Sequence, residues 1–440
     1  MFKLAGMNRL PSLCDDDLLD RLNEAGPYHV GEAAAVMERW GLDAIVIAQP
    51  VNVFHTLGHW PQIARTRMGQ PAGTFAILTA RQPDRPVLVT SRFLHFYTYA
   101  DGRGPRDAFL YDDLADTGDL GRNGDFPLCP DKGAAPLSTM EQHRFATSAK
   151  ALQTRAAWRN AGGALVGALQ ELGVWGDDLH ATRIGWDDPL LAGVLARHGF
   201  TGESLAADNA LREIRLIKSP LEQDLMARAA QANVDALSAV GHAVRAGASY
   251  RELHALFRAE AAARGNTAVF LNVDRSSSEA SPHRIADGQA LFLDAVSHFQ
   301  NYHGDFARTV FVGEPTRAAA RAAEAAAFAW QSVREALKPG VTFADITAIG
   351  QQALHKGGYD VMIGFGPHSC GLAHTDEPGE DAGGFWRKPN IALREGMIIS
   401  VDCPVLDSGI GGSAHCEDLV LITADGCRQI HSTHEPVIVV

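Results

Sequence analysis

Short apolar runs separated by polar turns mark the first half of the chain. In "ERWGLDAIVIAQPVNVFHTLGHW" a helical end is followed by Gly41 as a stop, the apolar strand "AIVIA" and a turn at Pro50. "TFAILTA" and "RPVLVTS" are two more short strands around the turn "RQPDRP". Residues 101–140 are rich in Gly, Asp and Pro and predict an irregular loop region. Helical patterns follow at about 141–172 and 188–198. The small, polar stretch "TGESLAADN" suggests a domain boundary near 205.

The second half is more regular. Ser219-Pro220-Leu221-Glu222 is a capping box with proline at the first helical position, and Ser249-Tyr250-Arg251-Glu252 is another. The strands "AVFLN", "ALFLDAV" and "ARTVFVG" follow. The order then recurs. An Ala-rich helix over 317–337, read as core scaffold, stops at Pro-Gly; "TFADITAIGQQALHKGG" is a second helix with a Gly stop. Strands return in "YDVMI", "GMIISVD" and "EDLVLIT". Two helices and then strands, twice over, suggest a duplicated plan.

Composition narrows the classes. The chain has 440 residues, 46% of them apolar and 21% charged, the profile of a globular protein with room for two or three domains. A net charge of −13 argues against a nucleic-acid partner. No run of about 18 apolar residues points to a membrane span. The start, "MFKLAGMNRLPSLCDDDLLDRL", lacks an apolar signal core, and a cytoplasmic location is expected. Cys14, Cys129, Cys370, Cys403, Cys416 and Cys427 form no dense disulfide framework. Without a C-x-x-C spacing, a Cys-rich zinc site is also disfavoured.

The chemistry lies in "FLDAVSHFQNYHGDFARTV", which carries Asp294 and Asp305 among strand-forming residues. A hairpin with a turn in "SHFQNYHG" would bring the two acids together on neighbouring strands. Buried carboxylates without a partner take up protons or find a cation. The second unit supplies Asp402 at the end of "MIISVD" and Glu417 at the start of "EDLVLIT", with His368 in the Gly-rich stretch "GFGPHSCGLAHTDEP". Four carboxylates balance two divalent ions, and with one imidazole they suit Mn, Co, Fe or Zn. Such a pair can hold a bridging hydroxide and polarise a carbonyl.

These motifs resemble the pita-bread metallopeptidases: methionine aminopeptidase, aminopeptidase P, prolidase and creatinase. "IRLIKSPLEQDLMARAA" resembles the entry to their catalytic domain, and "GLDAIVIAQPVNVFHTLGH" the amino-terminal domain of the prolidase and creatinase branch. "DAVSHFQNYHGDFARTV" is similar to the two-aspartate stretch, "PHSCGL" to the His-x-x-Gly-Leu loop, and "EGMIISVDCP" and "HCEDLVLIT" to the two acid-bearing strands. The resemblance implies Asp294, Asp305, His368, Asp402 and Glu417 as metal ligands. It implies substrate roles for His283 in "SPHRIADG" and for His374, which lies one position short of the family spacing.

Three departures stand out. Asp402 replaces the usual Glu and shortens the reach by roughly 1.3–1.5 Å. Cys403 separates Asp402 from Pro404. His415 stands where prolidases and aminopeptidases P commonly carry Arg, exchanging a permanent charge for a switchable one, and is taken as a substrate contact. Arg308 could brace a ligand carboxylate. His298 and His303 are assigned solvent or turn roles, and "GIGGSA" a flexible loop near the site.

The resemblance thus implies an α+β protein: a creatinase-type α/β domain over 1–205 and a pita-bread catalytic domain over 206–440. The expected activity is hydrolysis of an amide by a dinuclear centre, manganese first, on an Xaa-Pro aminopeptidase or dipeptidase pattern. Asp402 would shuttle the proton, with His283 and His374 placing the substrate. A creatinase-like hydrolase or lyase of a small metabolite is the alternative, and a non-catalytic binding protein a third reading. The family's habit implies a homodimer.

Overall fold

The computed structural model describes residues 15–61, 73–99, 107–112, 120–122, 136–143, 146, 156–176, 181–360, 366–406, 409–432 and 436–440. They fall into two compact units. One is Leu19–Ile214; the other joins the described residues up to Leu18 with Arg215–Val440.

The smaller unit is built on a six-stranded mixed sheet. Its order is Asp107–Tyr111, Val87–Ser91, Phe75–Thr79, Ala44–Ile47, Arg183–Trp186, Glu203–Ala206. Period-two alternation splits its central strand between two cores. Ile45 and Ile47 pack with Val36, Met37, Leu211 and Ile214, whereas Ala44 and Val46 pack with Phe109, Trp158, Leu165 and Leu169. Gly41 ends the helix Val30–Trp40 in the left-handed region, its N–H bonded to Glu38 O.

Several expectations change here. Pro50 is no turn: it opens the helix Pro50–Leu57, where a missing N–H costs nothing because that group has no intrahelical acceptor. Residues 101–140 contain a strand, Asp107–Tyr111, paired in parallel with Val87–Ser91. Its five residues are hidden in the composition of their neighbourhood, and 113–119 and 123–135 lie outside the described residues. Of the pattern 141–172, the helix Ala161–Glu171 forms the later part, capped by Asn160; residues 147–155 lie outside the described residues. The helix Pro189–Arg197 is capped by Asp188. Within "TGESLAADN", Glu203–Ala206 is an edge strand, and the helix Asp208–Leu216 begins at its end.

The larger unit shows the repeated order. Helices Pro220–His242 and Tyr250–Ala263 precede strands Thr267–Val273, Ala290–Phe299 and Tyr302–Phe311. Helices Arg317–Ala336 and Phe343–Lys356 precede the short strands of the second half. Both capping boxes form, and Thr342 with Asp345 makes a third. One sheet runs Cys403–Val405, Ala414–Glu417, Tyr302–Phe311, Ala290–Phe299, Thr267–Val273, and Val437–Val439 also pairs with Tyr302–Phe311. A second sheet runs Pro367–Ser369, Ile398–Val401, Val420–Ile422, Cys427–Gln429. The strand expected at "YDVMI" falls largely outside the described residues. The Ala-rich helix turns Ala322, Ala326, Ala329, Trp330 and Val333 into the core, and its small side chains let the sheet approach.

The long hairpin closes on Gln300 and Asn301 alone, both at positive φ (47° and 64°). This two-residue turn is tighter than "SHFQNYHG" suggested, because its twist matches that of the strands and lets pairing continue to Phe299 and Tyr302. His298 and His303 are therefore strand partners, not turn residues. "GIGGSA" is not a free loop. Gly412 lies against the strand Ala290–Phe299 so closely that a Cβ would stand 1.6 Å from Ala290 O. Among the described residues no helix is long and apolar enough to cross a membrane.

Candidate metal centre

One face of the larger sheet gathers the acids. Asp294 pairs with Ala307, and Ala307 with Glu417, so a row crosses three strands with the smallest side chain in the middle. Asp305 pairs with Val296, two positions along from Ala307. The two aspartates are thus diagonal neighbours rather than directly opposed, within reach on one face. His415 lies two residues before Glu417, on the same face. The opposite face carries Leu291, Leu293, Ala295, Phe306 and Val310 into the helical core.

His368 and Asp402 arrive from the second sheet. His368 pairs with Ser400, and Ser400 Oγ donates to Glu417 Oε1 at 2.6 Å. Asp402 sits between strands Ile398–Val401 and Cys403–Val405, where the chain passes from one sheet to the other. Glu417 ends the strand Ala414–Glu417 rather than beginning the next one; Asp418 and Leu419 make the passage to Val420–Ile422.

The five predicted ligands converge. His368 Nε2 lies 3.4 Å from Asp305 Oδ2, 3.8 Å from Glu417 Oε1 and 4.0 Å from Asp402 Oδ2. Asp294, His415 and Glu417 form a second close group. His368 Nδ1 lies 3.1 Å from His374 O. The ring therefore donates there and turns the Nε2 lone pair toward the acids. Asp305 and Glu417 are buried, whereas the Asp402 side chain is 35% exposed and is the acid open to an entering molecule.

The other histidines separate. His374 stands at the pocket: Nε2 lies 3.2 Å from Asp305 Oδ2, and its ring is 4.5 Å from that of His368. His283 is exposed, with its ring beside Tyr250. His303 ties its strand to the loop through N–H to Gly371 O at 2.9 Å. Arg308 reaches behind Glu417, where its strand position aims it: it donates to Glu417 main-chain O and to Asp418 Oδ1 at 2.6 Å.

Supporting residues emerge that the sequence motifs did not single out. Asn272 Nδ2 donates to Asp294 Oδ2 at 2.7 Å from the directly paired position. A polar residue ending "AVFLN" was the available signal. Arg215 and Asp376 form a buried pair at 2.7 Å, and Asp376 also accepts from Leu372 N. Lys218 Nζ donates to Arg215 O and Ser369 Oγ, and Glu377 accepts from Ser369 N. This network holds the loop that carries His368 and His374.

The electrostatics expose a conflict. Burial, reinforced by Glu417 and the neighbouring aspartate, pushes the Asp294 and Asp305 carboxyls well above the usual range. Burial opposes ionisation of Glu417 too, but hydrogen bonds and charge from His368 and His415 hold it low. Burial also works against the His415 imidazolium, yet Asp402 and Glu417 outweigh it and raise its proton affinity. Among the described residues, buried Asp305 Oδ1 has no hydrogen-bond partner. Glu417 Oε2 has no well-aligned one, although His415 Nε2 lies at 3.4 Å. Orphaned oxygens in a four-carboxylate, two-imidazole pocket fit divalent cations. Cys370 lies 3.8 Å from Asp305 Oδ2, but burial pushes its thiol well up, as it pushes Cys416 up to about 12. Cys370 nonetheless offers a donor atom within 4.8 Å of donors from Asp305 and His368.

Residues 224–424 match metallopeptidase family M24. The larger unit is an M24 metallopeptidase domain. The chain is 26% identical over 242 residues to an Xaa-Pro dipeptidase of Pyrococcus horikoshii, covering 52% of this chain and 67% of that protein. It is 28% identical over 244 residues to the probable dipeptidase PepE of Mycobacterium tuberculosis, covering 53% and 63%. The fold is that of the solved prolidase from Pyrococcus horikoshii, with a TM-score of 0.64 at 18% identity, covering 93% of this chain and 99% of that one. With an M24 domain over residues 224–424, the protein is a metal-dependent hydrolase of prolidase-like type with a pita-bread catalytic fold, and that domain calls for divalent metal.

Proposed function

We propose that this M24 protein hydrolyses the bond before proline in small peptides, as an Xaa-Pro dipeptidase or aminopeptidase. The convergence of Asp294, Asp305, His368, Asp402 and Glu417 on one pocket carries the reading. These five would hold two divalent ions, manganese by the oxygen-rich donor set. When bound, such ions polarise a carbonyl and make water nucleophilic at neutral pH.

The chain's own groups do the rest. Asp402, the exposed acid, takes a proton from the attacking water and returns it to the leaving nitrogen. His374, 35% exposed beside Asp305, faces an incoming substrate and donates to the developing oxyanion. A cavity of about 400 Å³ opens beside His368 and Asp402, with Phe343, Pro367 and Pro389 as apolar wall and Lys388 as its cation. That lining suits a proline ring and a carboxylate. His283, exposed beside Tyr250, is the further substrate contact proposed from the motif. A cytoplasmic homodimer remains the proposed setting.

The test is turnover of Xaa-Pro dipeptides, longer Xaa-Pro peptides and small amide or amidine metabolites by protein loaded with manganese or cobalt. Release of the residue before proline is expected. A fully loaded protein that leaves every proline peptide intact would overturn the proposal. Asp402 and His415, in place of Glu and Arg, favour the second reading: the same hydrolytic machinery turned on a non-peptide metabolite.

A further inference from the structure

His415 sits deeper than a substrate contact requires. It is 3% exposed, and its Nε2 lies 3.3 Å from Asp402 Oδ1 and 3.4 Å from Glu417 Oε2. One donor atom each from Asp294, His415 and Glu417 lies within 4.8 Å of the others. Donors that share one ion at about 2.1 Å stand ~3.0–3.4 Å apart. The ring is also fixed: Phe292 meets it edge-on at 5.3 Å, and Thr309 Oγ1 bridges the His415 main chain, donating to its O and accepting from its N.

A symmetry in the pocket gives the second observation. His368 faces Asp402 Oδ2 and Glu417 Oε1; His415 faces Asp402 Oδ1 and Glu417 Oε2. The two carboxylates stand between two imidazoles, each imidazole addressing a different oxygen of each acid. A buried guanidinium at position 415 would be a cation without a lone pair; an imidazole brings a ligand atom.

We propose that His415 is a metal ligand through Nε2, sharing an ion with Asp294 and Glu417, so that each ion of the pair has its own imidazole. The inference rests on the dinuclear reading above. The rival arrangement leaves His415 outside the ligand shell as a cation bonded to Asp402.

Arginine separates the two, because it keeps the charge and cannot ligate. Wild type, H415R, H415Q and H374Q are loaded with zinc and dialysed; metal per chain is measured by mass spectrometry and folding by circular dichroism. X-ray absorption then counts imidazoles per zinc in wild type and H374Q. Wild type should hold two ions, with about one imidazole per zinc in both proteins. H415R should hold one ion, and H415Q should bind its second ion at least ~10-fold more weakly. Two ions in H415R at wild-type affinity, or half an imidazole per zinc in wild type or H374Q, would overturn the inference alone. Should H415R fail to fold, the absorption counts decide. A wild type that retains no metal would remove both this inference and the dinuclear reading.

Discussion

The two strand pairs that deliver the acids are built in opposite ways. Ala290–Phe299 and Tyr302–Phe311 are ten residues each, paired along their full length and closed by a two-residue turn. Cys403–Val405 and Ala414–Glu417 are three and four residues. The first pair places Asp294 and Asp305 by backbone register. The second holds its acids with brackets: Ser400 on Glu417, and Arg308 and Trp330 on the two oxygens of Asp418. One half of the site is positioned by its ladder, the other by side chains that must each be in place.

The largest effect should separate a buried acid from an exposed one. Asp402→Asn should lower kcat by about 10²–10⁴-fold and retain metal, because it removes a proton carrier. Asp305→Asn should leave no ion that survives dialysis, because it cancels the charge of a buried ligand. Equal metal loss in the two variants would erase the distinction. Next, Arg308→Met should destabilise the fold by about 3–5 kcal/mol, since it strands buried Asp418. Adding Asp418→Asn should recover part of that in denaturant titrations. A single variant as stable as wild type would mean that the brackets are dispensable.

Smaller effects sharpen the contrast. Asn272→Ala removes a side chain bonded to Asp294 and should weaken metal binding by about 10–100-fold with the melting temperature little changed. His431 tests the bracketed half by pH. Its Nε2 accepts from Leu419 N at 3.3 Å, and burial pushes the ring from its ordinary 6.5 down to about 4. The unfolded chain takes up this proton near 6.5 and the folded ring resists until about 4. Stability should therefore fall as pH drops through that window. His431→Gln should flatten that part of a stability-against-pH curve; an unchanged slope would remove His431 from the account.

The same contrast explains what was legible in the sequence. Capping boxes, the hairpin and the spacing of Asp294 and Asp305 are local signals, and they predicted helix starts and one half of the pocket. Asp402, Glu417 and His368 were read from the recurring order of elements and the ends of apolar runs, and the resemblance to known motifs then named them as ligands, since strands of three or four residues carry little periodicity of their own. The end of the strand at Glu417, the strand at 107–111 and the helix begun by Pro50 were missed or misplaced where an element was short or its punctuation ambiguous. Arg215–Asp376 and the Arg308–Asp418 pair join positions far apart in the chain, and nothing local announces them.

Gly412 gives the two halves a common gauge. Pressed against Ala290 O, it acts as a backstop: the segment leading to Glu417 can advance no further toward the strand bearing Asp294, and not even a methyl group fits between them. The spacing across the pocket is thereby calibrated by steric exclusion as well as by hydrogen bonds. Drift in either half is transmitted to the other as a collision.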